Sequence, residues 1–162
     1  MKRRVAMIGV IAAVTLAAAP ASLAAQPPAK NFVAVLSAGE EVPLCALATN
    51  AARGVAVLHV RDEASGTVEF KIVANNLPGD VVAAHIHIAP KGLPGPMVQG
   101  LPPAPGAENG VIAEGSFSNP ALVSAIRANP GGYYINVHTA APTGCPPGVI
   151  RGQLDDHGPL NQ

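Results

Sequence analysis

Apolar and polar residues alternate most cleanly in Thr67-Val68-Glu69-Phe70-Lys71-Ile72-Val73, where Val68, Phe70 and Ile72 interleave with Thr67, Glu69 and Lys71. A period of two is the signature of a half-buried strand. Comparable runs cover Phe32 to Leu36, Val55 to Arg61, Val81 to Ile88, Val111 to Phe117, Tyr133 to Thr139 and Val149 to Leu154. Ala64-Ser65-Gly66 joins the second and third runs as a tight hairpin. The chain holds 17 glycines and 17 prolines, and they fall between these runs, where turns are needed. One segment departs from the pattern. Asn119-Pro120 supplies a cap and a first-turn proline, Leu122, Val123 and Ile126 recur at helical spacing, and Asn129-Pro130-Gly131-Gly132 ends the run. The stretch from Ala89 to Gly106 carries six prolines and four glycines and reads as an irregular loop with a short strand at Met97-Val98. Together these elements predict an all-β fold: a Greek-key-like β-sandwich or barrel of about seven to eight short strands, with one short helix at about 120–128.

The N-terminus obeys a different rule. Lys2, Arg3 and Arg4 precede an uncharged run from Val5 to Ala19, Pro20 breaks it, and Ser22-Leu23-Ala24 offers small residues for cleavage. The run is about fifteen residues, short of the roughly twenty that span a bilayer, so it reads as a signal peptide. The expected organisation is therefore a signal peptide at 1–25, a β domain at 31–155 and a polar tail at 156–162, in a secreted or periplasmic protein. Removal of the signal leaves seven Lys and Arg against ten Asp and Glu. An acidic mature chain is a poor partner for nucleic acid or an anionic membrane. The expected partner is an extracellular or periplasmic protein or a small ligand.

Export also changes the chemistry open to the side chains. Cys45 and Cys145 are the two cysteines, and outside the cytoplasm their default state is a disulfide. His85 and His87 lie at i and i+2 of one strand, so their imidazoles share a face. His138 lies on the polar side of its own strand, and three imidazoles converging from two strands could hold copper or zinc. Against that reading, His-x-His alone is a weak motif, and no Asp or Glu stands near in sequence to orient the rings. His59 lies on another strand, and His157 falls in the tail. Enzyme chemistry has less support. No serine sits in a nucleophile elbow, and Glu40 and Glu41 are neighbours that would face apart on a strand. No catalytic residue is expected.

Four phrases in order resemble the CHRD domain, named for repeats in the extracellular protein chordin. They are Glu41-Val42-Pro43 after the first strand, Ala84-His85-Ile86-His87 before the Gly/Pro-rich loop, Asn136-Val137-His138-Thr139, and Gly148-Val149-Ile150-Arg151-Gly152-Gln153-Leu154. The resemblance runs from about Asn31 to Leu154 and implies an extracellular all-β domain without assigned enzymatic activity. Two positions depart from the family pattern: Leu44 replaces a proline, and Val149 replaces a glutamate. If the last two strands pair as a hairpin, position 149 lies beside His138, and a valine there cannot orient the ring. A fainter similarity to Cu/Zn superoxide dismutase fails on its zinc half, because no histidine occurs between His87 and His138. The expectation is an exported, non-enzymatic binding or structural module of unknown ligand. Its binding patch comprises His85, His87, Asn136, His138 and Arg151; the alternative is a copper or zinc site on His85, His87 and His138.

Overall fold

The computed structural model describes residues 31–46, 48, 51–104, 106–140 and 148–154; the expected signal peptide, Cys145, His157 and the polar tail lie outside the described residues. Eight strands form: β1 Asn31–Ser37, β2 Arg53–Asp62, β3 Thr67–Asn75, β4 Val81–Ile88, β5 Met97–Gly100, β6 Gly110–Ser118, β7 Tyr133–Thr139 and β8 Ile150–Gln153. In β3, Val68, Phe70, Ile72 and Ala74 are buried, while Glu69, Lys71, Val73 and Asn75 are exposed. Such alternation gives a sheet one wet and one dry face.

All strand pairs are antiparallel, in the order β5-β4-β7-β8-β1-β2-β3-β6. The two edges do not stay open. Beyond β5, Pro103 bridges Ala113 of β6, and Ala104 N–H donates to Ile112 O at 2.8 Å. The sheet thus curls on itself around Leu36, Leu58, Ile72, Ile86, Ile112, Ile135 and Ile150, all buried. Curling removes exposed edges and buries one face, as the expected barrel or sandwich requires.

Among the described residues one α-helix forms, α1 (Pro120–Ala128), where the sequence placed it. Asn119 Oδ1 accepts from Leu122 N–H at 3.0 Å, and Leu122, Val123 and Ile126 turn into the core. Gly66 makes room for it: its φ is +61°, and an added Cβ would lie 2.3 Å from Pro120 N. Arg127 grips Glu63 in the β2–β3 turn through two charge-assisted hydrogen bonds. Among the described residues, no helix is long and apolar enough to cross a membrane.

Candidate functional site

Strand register sets the site. On the outer face, His87 of β4 stands opposite Tyr134 of β7, which stands opposite Gln153 of β8. One step along, His85 faces Asn136, which faces Arg151; the next row begins with Ala83 opposite His138. The β7–β8 pairing ends at Val137 opposite Ile150, and Val149 N–H donates to Val137 O at 2.8 Å, so position 149 sits against Val137 and not in register with His138 as the hairpin reading expected. The inner face of the same strands carries Ala84, Ile86, Ile135, Val137 and Ile150, all in the core. Period-two alternation therefore gathers every residue of the expected patch onto one sheet face.

That face is not open to solvent. Two loops cover it, and side chains from the grid hold them down. His87 Nδ1 donates to Gly95 O at 2.9 Å, and Gly95 N–H donates to the Tyr134 hydroxyl at 3.1 Å. Arg151 Nη2 donates to Pro90 O at 3.2 Å, and Gln153 Nε2 donates to Ala89 O at 2.9 Å. These bonds organise the proline-rich loop after β4, which the sequence alone left irregular. The second cover follows β1: Asn136 Nδ2 donates to both carboxyl oxygens of Glu41 at 2.9 Å. Lys91 and Glu40 tie the two covers together at 3.1 Å. Asn136 and Arg151 are each 2 % exposed. The expected patch is consequently an interior, with His85, His87 and His138 half-buried at its margin.

The three imidazoles meet. Rings of His85 and His138 have centroids 5.1 Å apart, and those of His85 and His87 lie 5.6 Å apart. One nitrogen from each histidine lies within 4.8 Å of the other two. Points so spaced share a centre within about 2.8 Å, against His–metal bonds of about 2.0–2.1 Å. A contraction of under about 1 Å per ring would bring all three to bonding distance. Protonation is favourable too. Burial pushes the His138 pKa down to about 4, aided by the charges of His85 and His87. His85 is lowered by burial and then by His87. A carbonyl oxygen only accepts, so His87 Nδ1 carries a proton, which leaves Nε2 as the nitrogen of that ring that would ligate a metal. His87 Nε2 and His138 Nε2 are buried without a hydrogen-bond partner among the described residues. Buried, unpartnered ring nitrogens are costly unless something binds them.

Beside the imidazoles lies a cavity of about 170 Å³, whose wall includes His87, His138, Glu41, Tyr134, Asn136 and Arg151. Tyr134 stacks on His87 at 4.9 Å between centroids and takes the Arg151 guanidinium on its ring, 3.5 Å from the centroid. Glu41 is the residue that sequence reasoning passed over. Adjacent glutamates do face apart: Glu40 reaches outward to Lys91, while Glu41 turns inward and is 3 % exposed. Burial pushes its pKa up to about 8, against the opposing pull of the Asn136 hydrogen bond and the Arg151 charge. Its place in the Glu41-Val42-Pro43 phrase was the one available signal. The group that orients a ring is also not the carboxylate sought in sequence, but the Gly95 carbonyl. His59 stays apart on β2, hydrogen-bonded to Asn31. Cys45 is buried, and its expected partner Cys145 lies outside the described residues.

No curated protein and no solved structure matches the chain. A family model does, and it extends over the whole curled sheet, from Phe32 in β1 to Leu154 after β8. It matches the CHRD domain over residues 32–154, so the chain belongs to the CHRD domain family.

Proposed function

We propose that this CHRD domain is an exported, non-enzymatic module whose ligand is a copper or zinc ion held by His85, His87 and His138. One observation carries the reading: three imidazole nitrogens lie within 4.8 Å of one another. Two supports stand behind it. Burial favours the neutral forms of His85 and His138, as ligation needs, and two ring nitrogens are buried without partners among the described residues. The His87 Nδ1–H···O=C contact is the kind of outer interaction that fixes a ligand's tautomer. Imidazole donors suit both copper and zinc. Docking of a protein onto the same patch has less support, because Asn136 and Arg151 are buried beneath the two loops.

Export belongs to the same proposal. Residues 1–25 act as a cleaved signal peptide, and Cys45 pairs with Cys145 in the oxidising compartment beyond. The test is a titration of the purified protein with Cu(II) and Zn(II), followed by calorimetry and thermal unfolding. Micromolar binding is expected, with a raised melting temperature, and His87→Ala abolishes both. No shift in melting temperature at a hundredfold excess of either ion sinks the metal reading.

A further inference from the structure

His87 and His138 belong to two groupings at once: the imidazole cluster and the wall of the 170 Å³ cavity. A metal held by the cluster would therefore stand at the cavity's edge. Three protein ligands leave a copper or zinc ion short of its usual complement, and the missing position is commonly filled from solvent. The rest of the wall shows what else could fill it. Arg151 contributes a guanidinium that cannot lose its proton and is 2 % exposed. Its charge is offset only in part, since Glu41 favours its neutral form at external pH. Pro94 and Val42 are aliphatic members of the same wall. A cavity of this size, comparable to one of about 150 Å³ that admits benzene, limits a guest to roughly a single ring.

We propose that the three histidines leave an exchangeable coordination position turned into this cavity, and that it accepts a small monoanion no larger than about one aromatic ring. The proposal rests on the metal reading above and adds the class of second ligand. Such an anion is drawn by the metal and by the buried guanidinium, both undiluted by bulk water. Glu41 and Val42 from one covering loop and Pro94 from the other line the space and set the width open to an anion.

The experiment loads the purified protein with one equivalent of Cu(II) and then titrates azide, reading optical absorption and electron paramagnetic resonance. A saturable charge-transfer band and a changed copper spectrum are expected with azide, and neither with diphenylacetate, whose two rings exceed the space. Val42→Phe narrows the cavity without touching a metal ligand. It should keep copper affinity within about twofold and weaken azide at least tenfold. Copper that binds through His87 but ignores azide overturns the inference while leaving the metal reading intact. An equal response to diphenylacetate, or an unchanged azide response in Val42→Phe, also overturns it, since the open position would then face elsewhere. Failure of copper to bind removes both.

Discussion

Glu41 and His138 both line the cavity, and burial moves their proton affinities in opposite directions. Each has a consequence for stability with a definite sign. Folded Glu41 keeps its proton up to about pH 8, whereas its ordinary value is 4.5. Between those values the native chain holds a proton that the unfolded chain has released, so stability falls as pH rises. Folded His138 titrates near 4 instead of 6.5, so there the unfolded chain holds the extra proton, and stability falls as pH drops from 6.5 towards 4. His85 acts in the same direction as His138. From 4.5 to 6.5, Glu41 and His138 oppose each other, and His85 tips the balance towards acid destabilisation. Above 6.5, Glu41 acts without them. Urea unfolding of the metal-free protein should show greatest stability near pH 6.5, and Glu41→Gln should flatten the decline on the alkaline side. An identical alkaline slope in that variant would show that Glu41 is ionised in the fold. Beyond its place in the Glu41-Val42-Pro43 phrase the sequence could not announce this residue, because its burial is set by contacts distant in the chain, such as Asn136, 95 positions away. The histidines were legible earlier, since i and i+2 on a strand settle a shared face without any long-range information.

At the scale of elements, the site depends on β8 lying close against both neighbours. Gly152 makes this possible. An added Cβ there would sit 2.1 Å from Val35 O and 3.0 Å from Leu36 Cδ2 of β1. Neither can yield without moving the strand. Gly152→Ala should therefore cost about 1–3 kcal/mol, the usual range for overpacking, and weaken copper binding by displacing Arg151 and Gln153 on the opposite face. Gly100 on β5 supplies the control, because an added Cβ meets nothing within 4 Å and its φ is unexceptional. Gly100→Ala should change stability by less than about 0.5 kcal/mol. Denaturant midpoints of the two variants decide the matter, and equal midpoints would contradict the close approach. Local patterning revealed these strands well, from the alternation in β3 to the cap and proline that begin α1. It gave the hairpin of the last two strands but not the place of position 149, whose N–H bonds to Val137 O where the expected register would have set it beside His138. It did not reveal the covers, since the loop after β4 takes its shape from His87, Tyr134, Arg151 and Gln153 beneath it.

The whole molecule is a closed sheet whose strand order bears little relation to chain order, with β1 seated between β2 and β8. Hydrophobic period specifies which residues face inward but not which strands are neighbours, so this order was not legible from the pattern. Nor was the contrast between the two outer surfaces. Over β4, β7 and β8 the outer face is roofed and polar, whereas across β1, β2, β3 and β6 it is a row of exposed valines, Val35, Val55, Val73 and Val111, paired in register. The proposed Cys45–Cys145 bond matters because of what it would connect. Cys45 is buried at 5 % exposure and ends the segment that carries Glu41 and Val42 over the site, and its Sγ accepts from Ala48 N–H at 3.1 Å. Cys145 lies in the connection between β7 and β8, a few residues beyond His138. A covalent tie between these segments closes a loop of about a hundred residues, and on chain-entropy grounds it can add at most about 4–5 kcal/mol. It would also hold one wall of the cavity against the strand bearing a metal ligand. The double variant Cys45→Ser with Cys145→Ser should therefore unfold at lower urea than the oxidised protein and bind copper more weakly, even where it remains folded. Reductant should move the oxidised protein to the same midpoint and leave the double variant unchanged. Coincident urea midpoints for the oxidised protein and the double variant would show the two cysteines unpaired, and the roof over the site would then rest on Glu41 and its hydrogen bonds to Asn136.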